Sequence, residues 1–218
     1  MRWWVADLFH NNPTMLFAWA FWVIFSITLH ELGHGWAAIR RGDRTPIELG
    51  RMTWNPLVHM GGFSLLVFAL VGIAWGVMPV NPSRLRGRRA EAYVAAAGPF
   101  MNLILAAACI VLAALWSAYA GDGDASEVIM TFLFTGAMLN VVLMLFNLLP
   151  VPPLDGARIL ADFVPAYGRL FNAQNGQMIA LALFVLIFLT AWRFIFPFAS
   201  AVVNGAIDVL LVILPGAA

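Results

Sequence analysis

Lysine is absent from this chain, and all 12 of its basic residues are arginines. Against 11 acids they leave a formal net charge of only +1. Phosphate binding needs clustered basic residues beyond those that flank membrane spans, so nucleic acid is excluded as a partner. Cysteine is nearly absent too. Its single copy, Cys109, sits in a run of Ala, Ile and Leu, which rules out a disulfide framework and reads as an inert core residue rather than a thiolate ligand. Charge of either sign is scarce, at 11% of residues beside 62% hydrophobic, where soluble domains average about 25% and 45–50%. A soluble globular domain is thereby excluded, and the chain belongs in a lipid bilayer. No internal repeat or low-complexity linker breaks it, so a single domain over 1–218 is expected.

Apolar runs at about 14–38, 92–119, 128–150, 177–197 and, shorter, 199–214 approach the roughly 20 residues that cross the hydrocarbon core as a helix. Met1 to Pro13 lacks the basic region and cleavage site of a signal peptide, so the first run is expected to be retained as a span. Arginines cluster at 40, 41, 44 and 51, at 84, 86, 88 and 89, and at 158 and 169, and the positive-inside rule places all three stretches in the cytoplasm. The connection at 121–127 is acidic and free of Arg, which suits the opposite face. The apolar segment 57–80 lies between two arginine clusters on one face, so it must cross an even number of times. Gly61, Gly62, Gly72, Gly76 and Pro79 punctuate it, so a re-entrant or broken hairpin is expected, its backbone covered by protein or a water cavity, with one ordinary span that violates the charge rule as the alternative. The expected fold is an all-α polytopic bundle of about five spans plus this hairpin, about six membrane segments in all.

The first span ends in Leu29-His30-Glu31-Leu32-Gly33-His34-Gly35. Residues four apart share one helix face, so the two imidazoles can converge on one ion, with Glu31 placed to hold the water that the metal activates. Ionisable groups in lipid are expensive enough to point to function. A catalytic zinc takes three protein ligands and leaves one position for water. Candidates for the third are Asp155, His59 and His10. Asp155 is preferred, because it stands just past the span 128–150 beside the cytoplasmic Arg158, at the depth of His30 and His34. His59, at the start of the hairpin, is a candidate neighbour, and His10 falls on the far side.

These residues resemble the site-2 protease family of membrane-embedded zinc metalloproteases. The stretch His30-Glu31-Leu32-Gly33-His34 matches the family's HExxH motif, and 147–156, NLLPVPPLDG, matches its second motif. Between them AAAGPFMN at 95–102 is similar to the family's Gly-Pro-x-x-Asn element. The match covers roughly residues 20–165, the expected catalytic core, and no PDZ or CBS region is visible, as in the short prokaryotic type. The resemblance implies an intramembrane zinc metalloendopeptidase in regulated intramembrane proteolysis. Its implied site is Zn2+ held by His30, His34 and Asp155, Glu31 as catalytic base, and Asn147 and Asn102 as substrate contacts, Asn102 serving equally well in helix packing. Asn140 reads as structural. Membrane proteins with a transmembrane segment are the implied substrates, and the prokaryotic cell (inner) membrane the implied location, with the active site toward the cytoplasm. A transmembrane helix hides its peptide bonds, so a substrate must be held unwound, and the stretch Thr45 to Trp54 is expected to offer a strand edge for it. The alternatives are a catalytically inactive zinc-binding scaffold and a prenyl-protein-type membrane zinc protease, which takes a glutamate as third ligand.

Overall fold

The computed structural model describes residues 4–120, 123–172 and 176–214. Asparagine and proline start the first long helix. Asn12 accepts a hydrogen bond from Met15 N–H at 2.9 Å and Pro13 takes the first helical position, where its missing N–H costs nothing. After the short α1 (Trp4–Asn11), α2 (Pro13–Arg40) then runs 28 residues, about 42 Å. A one-turn α3 (Thr45–Glu48) and α4 (Pro56–Val71) follow, then a 3₁₀ turn at Pro82–Arg84. Next come α5 (Ala90–Tyr119), α6 (Asp124–Asn147), α7 (Asp155–Phe163), α8 (Pro165–Asn172), α9 (Gly176–Thr190) and α10 (Trp192–Ile213). No β-strand occurs among the described residues.

Among the described residues, helices α2, α5, α6 and α10 are long and apolar enough to cross a membrane, and the bent pair α8 and α9 makes a fifth where it counts as one span. The core between them is built largely from small residues: Ala18, Ala113, Ala114, Ala137 and Ala199 are fully buried. Small side chains let helix backbones approach closely where lipid offers no hydrophobic drive to pack. Gly121 and Asp122 of the acidic connection lie outside the described residues. The break between the last two helices falls at Ala191 rather than near 198. Thr190 Oγ1 and Trp192 Nε1 donate to the carbonyls of Leu186 and Leu189 and close α9 there, while Pro197 is accommodated inside α10.

The segment 57–80 is a hairpin in the structure. Helix α4, about 24 Å long, breaks at Gly61 (φ 70°) and ends on Gly72. The chain then returns beside it without helix: Ser64 Oγ bonds both the N–H and the carbonyl of Trp75, and Val77 N–H donates to the His59 carbonyl. Two residues of the return, from Trp75 to Val77, thus span the same stretch as His59 to Ser64 of α4, which marks a non-helical, drawn-out backbone. The far end is tied by Asp43, which follows α2: its carboxylate accepts from Asn81 N–H at 2.7 Å and from Thr45 N–H and Oγ1. The arginine stretches gather at this same end, where Arg86 N–H donates to the Arg41 carbonyl and Arg84 pairs with Glu48 at 2.6 Å.

The expected strand edge at Thr45 to Trp54 is not formed. Pro46 in the first turn and the Asp43 cap on Thr45 turn the chain into α3, and Gly50 (φ 64°) reverses it.

Candidate metal centre

His30 and His34 lie on one face of α2, and Asp155 is the first residue of α7, brought back to α2 by the turn through Pro150, Pro152 and Pro153. All three are buried. His30 Nε2 stands 3.0 Å from His34 Nε2 and 3.1 Å from Asp155 Oδ2, and His34 Nε2 is 3.3 Å from the same oxygen. Tetrahedral zinc with ligand bonds of 2.0–2.1 Å sets its donors roughly 3.3 Å apart, so the triangle has the right size.

The donor chemistry also fits. His30 Nδ1 faces Asn102 Oδ1 at 2.7 Å, and His34 Nδ1 faces the Val94 carbonyl at 2.8 Å. The Val94 carbonyl can only accept, so His34 donates through Nδ1, and the Asn102 oxygen offers His30 the same arrangement; with both ring protons so placed, both Nε2 atoms turn lone pairs toward a carboxylate oxygen. Three acceptors meet with no proton among them. One proton could satisfy one pair, whereas a divalent cation satisfies all three. Among the described residues no other group of His, Cys, Asp and Glu converges in this way.

Glycine makes the room. A methyl group on Gly98 would lie 2.4 Å from His34 Nε2 and 2.5 Å from His30 Nε2, so α5 can pass the metal-facing nitrogens only with no side chain at that position. Gly76, on the extended return, plays the same part for the base: a Cβ there would lie 2.7 Å from both Cγ and Oε1 of Glu31. Glu31 is buried between the metal ligands and this segment.

These groups open on a cavity of about 600 Å³. Ile27, Leu143, Phe146, Phe184 and Phe188 give it apolar walls, and the return contributes Ile73 to Met78. Glu31, Asn102, Asn147 and Arg158 are the polar side chains that line it beside the ligands.

The profile of peptidase family M50 matches residues 18–123 and 116–191. The chain belongs to peptidase family M50. Among curated relatives, this M50 chain is 39% identical over 170 residues to YwhC of Bacillus subtilis, provisionally named a zinc metalloprotease, covering 75% of this chain and 78% of that one. It is 31% identical over 182 residues to Rip2 of Mycolicibacterium smegmatis, which carries the same provisional name, with 78% and 68% covered. Zinc metalloprotease MJ0392 of Methanocaldococcus jannaschii is 28% identical over 181 residues, 81% of this chain but 44% of that longer protein. No solved structure matches.

The M50 membership and the site-2 protease resemblance agree, and the apolar helices make the chain an integral membrane protein. His59 does not join the metal group: its Nε2 donates to the Thr53 carbonyl at 2.7 Å and its own carbonyl accepts from the return segment. His10 is exposed on α1. Asn102 differs from the expected substrate contact, because both ends of its buried amide are engaged, one by His30 and one by Asn140. Asn147 donates to the Leu143 carbonyl at 2.9 Å and keeps its oxygen for the cavity. Sequence reasoning missed the Val94 carbonyl, Gly76, the clearance at Gly98 and the placement of Arg158 in the cavity. Gly98 had a signal as part of the Gly-Pro-x-x-Asn element, Gly76 as part of the glycine-rich hairpin, and Arg158 as the neighbour of Asp155, but none of these signals carried the contact.

Proposed function

We propose that this chain is an intramembrane zinc metalloprotease that hydrolyses peptide bonds in or near transmembrane segments of other membrane proteins. The observation that carries the reading is the meeting of two imidazole lone pairs and a carboxylate beside Glu31, in an apolar-walled cavity among membrane-crossing helices. His30, His34 and Asp155 would hold the zinc. Bound there, zinc would lower the pKa of a water toward about 7 and polarise the scissile carbonyl.

Glu31 is the general base, accepting the attacking water's proton and passing it to the departing amine, so that one water is consumed and one carboxylate and one amine are produced. Apolar walls from Phe146, Phe184 and Phe188 exclude bulk water and accept the side chains of a membrane segment. Asn147 Oδ1 suits a substrate N–H. Arg158 lines the cavity, and its cation suits a substrate carbonyl or the charge that develops on it.

The unwound substrate is held by the extended return rather than by Thr45 to Trp54. Trp75 and Val77 spend their N–H groups on α4, and the return lines the cavity from Ile73 to Met78, so in an alternating backbone Ala74 and Gly76 would offer theirs to an extended peptide. The arginine-rich end of the bundle, six residues beyond His34, supports an active site toward the cytoplasm of a prokaryotic cell membrane.

The inactive-scaffold alternative is tested by Glu31→Gln. With purified protein and a panel of single-span substrates, this variant retains stoichiometric zinc and loses about 10²- to 10⁴-fold in cleavage rate, while Asp155→Ala loses the zinc itself. Cleavage by wild type that is absent, or unchanged in Glu31→Gln, refutes the reading. The prenyl-type alternative requires a glutamate ligand, and the carboxylate that meets the histidines is Asp155.

A further inference from the structure

Asn140 lies on α6, fully buried and away from the three ligands, and the packing of an amide between apolar helices would account for it at first sight. Its hydrogen bonds carry more. Asn140 Nδ2 is 2.9 Å from the Gly136 carbonyl, Asn140 Oδ1 is 3.0 Å from Asn102 Nδ2, and Asn102 Oδ1 is 2.7 Å from His30 Nδ1. An amide can present either end, so the last contact alone does not say which of His30's nitrogens carries the proton. The Gly136 carbonyl can only accept, and it settles the sequence. Asn140 must turn its NH₂ to it and its oxygen to α5; Asn102 must donate to that oxygen and turn its own oxygen to α2; His30 must then donate through Nδ1. Reversing any member sets two oxygens or two NH₂ groups against each other in a buried site.

We propose that Asn140 is a positioning residue for the metal: acting through Asn102, it holds His30 in the tautomer protonated at Nδ1, so that the Nε2 lone pair faces His34 and Asp155. The inference rests on the reading of that trio as a zinc site, which residues behind a ligating histidine are known to support at the level of about 10- to 100-fold in metal affinity. His34 needs no such relay, because its Nδ1 meets a backbone carbonyl directly.

The test is a double-mutant cycle on the full-length protein in detergent, with zinc affinity measured by chelator competition and thermal stability measured with and without chelator. Asn140→Leu is expected to weaken zinc about 10- to 100-fold and to shrink the zinc-induced rise in Tm. In the Asn102→Asp background the carboxylate accepts from His30 whatever stands behind it, so the same Asn140→Leu change should cost less than about threefold. An equal loss in both backgrounds, or a loss of apo stability with zinc affinity unchanged, makes Asn140 a packing residue only and overturns the proposal. Histidine-selective ¹⁵N NMR of the zinc-free wild type needs no variant to fold: His30 is expected protonated at Nδ1, and protonation at Nε2 overturns the relay. Wild-type protein that binds no zinc would overturn the metal site itself, an outcome distinct from zinc retained equally by wild type and Asn140→Leu.

Discussion

Replacing Gly98 by alanine separates the metal site from the helix that supports it. Within a helix, alanine is favoured over glycine by about 1 kcal/mol, so α5 by itself should gain. The new methyl, however, would lie 2.4 and 2.5 Å from the two ligating Nε2 atoms, where ordinary contact begins at about 3.5 Å. Both imidazoles would have to retreat by about 1 Å, roughly five times the ±0.2 Å tolerance of a metal site. Forcing a methyl into packed surroundings costs about 1–3 kcal/mol, and the histidines relieve it most cheaply by giving up their geometry. The expected Gly98→Ala protein keeps its helical circular dichroism and its zinc-free Tm, yet binds zinc at least about 100-fold more weakly by chelator competition and cleaves no single-span substrate. Stoichiometric zinc at wild-type affinity would refute the reasoning. So would a variant that unfolds without having had any metal to lose, since the clash would then bear on helix packing rather than on the ligands.

Three further outcomes follow from particular contacts. Arg158→Gln should keep zinc and lose about 10- to 100-fold in kcat/KM, the worth of one hydrogen bond to a charged group; undiminished cleavage would remove Arg158 from the substrate site. Gly76→Ala should retain zinc while impairing cleavage, because the added Cβ displaces Glu31 rather than a ligand; loss of zinc with activity would contradict that separation. Burial pushes the Asp43 carboxyl up, but the hydrogen bonds from Thr45 and Asn81 outweigh it and hold the group below its ordinary value. A lowered folded-state pKa stabilises above the unfolded value, and the contribution fades as pH falls through the folded one. Asp43→Asn should therefore cost about 1.5–3 kcal/mol at pH 7, with the gap to wild type closing in acid; a gap that persists unchanged in acid would refute the assignment.

Much of the fold was legible because its physics is local. Twenty-odd apolar residues and arginines at one set of ends are properties of short stretches, and they placed α2, α5 and α6 to within a few residues. The even crossing demanded of 57–80 came from charge alone, and the structure realises it as a kinked helix with an extended return. The errors arose where two elements compete for one segment. Thr45 to Trp54 read as extended until the Asp43 hydrogen bond to Thr45 and Pro46 turned its start into α3, and the boundary between the last two apolar runs, expected near 198, falls at Ala191.

The site divides in the same way. His30, Glu31 and His34 belong to one turn and a bit of a single helix, so their spacing by itself determined that two imidazoles share a face with a carboxylate between. Whether Asp155 reaches them, which oxygen fixes each ring proton, why position 98 bears no side chain, and which backbone edge faces the base depend on contacts between residues tens of positions apart. Only the packing of α5 and α7 against α2 decided those, because a hydrogen-bond polarity or an ångström of clearance exists only after separate helices have met.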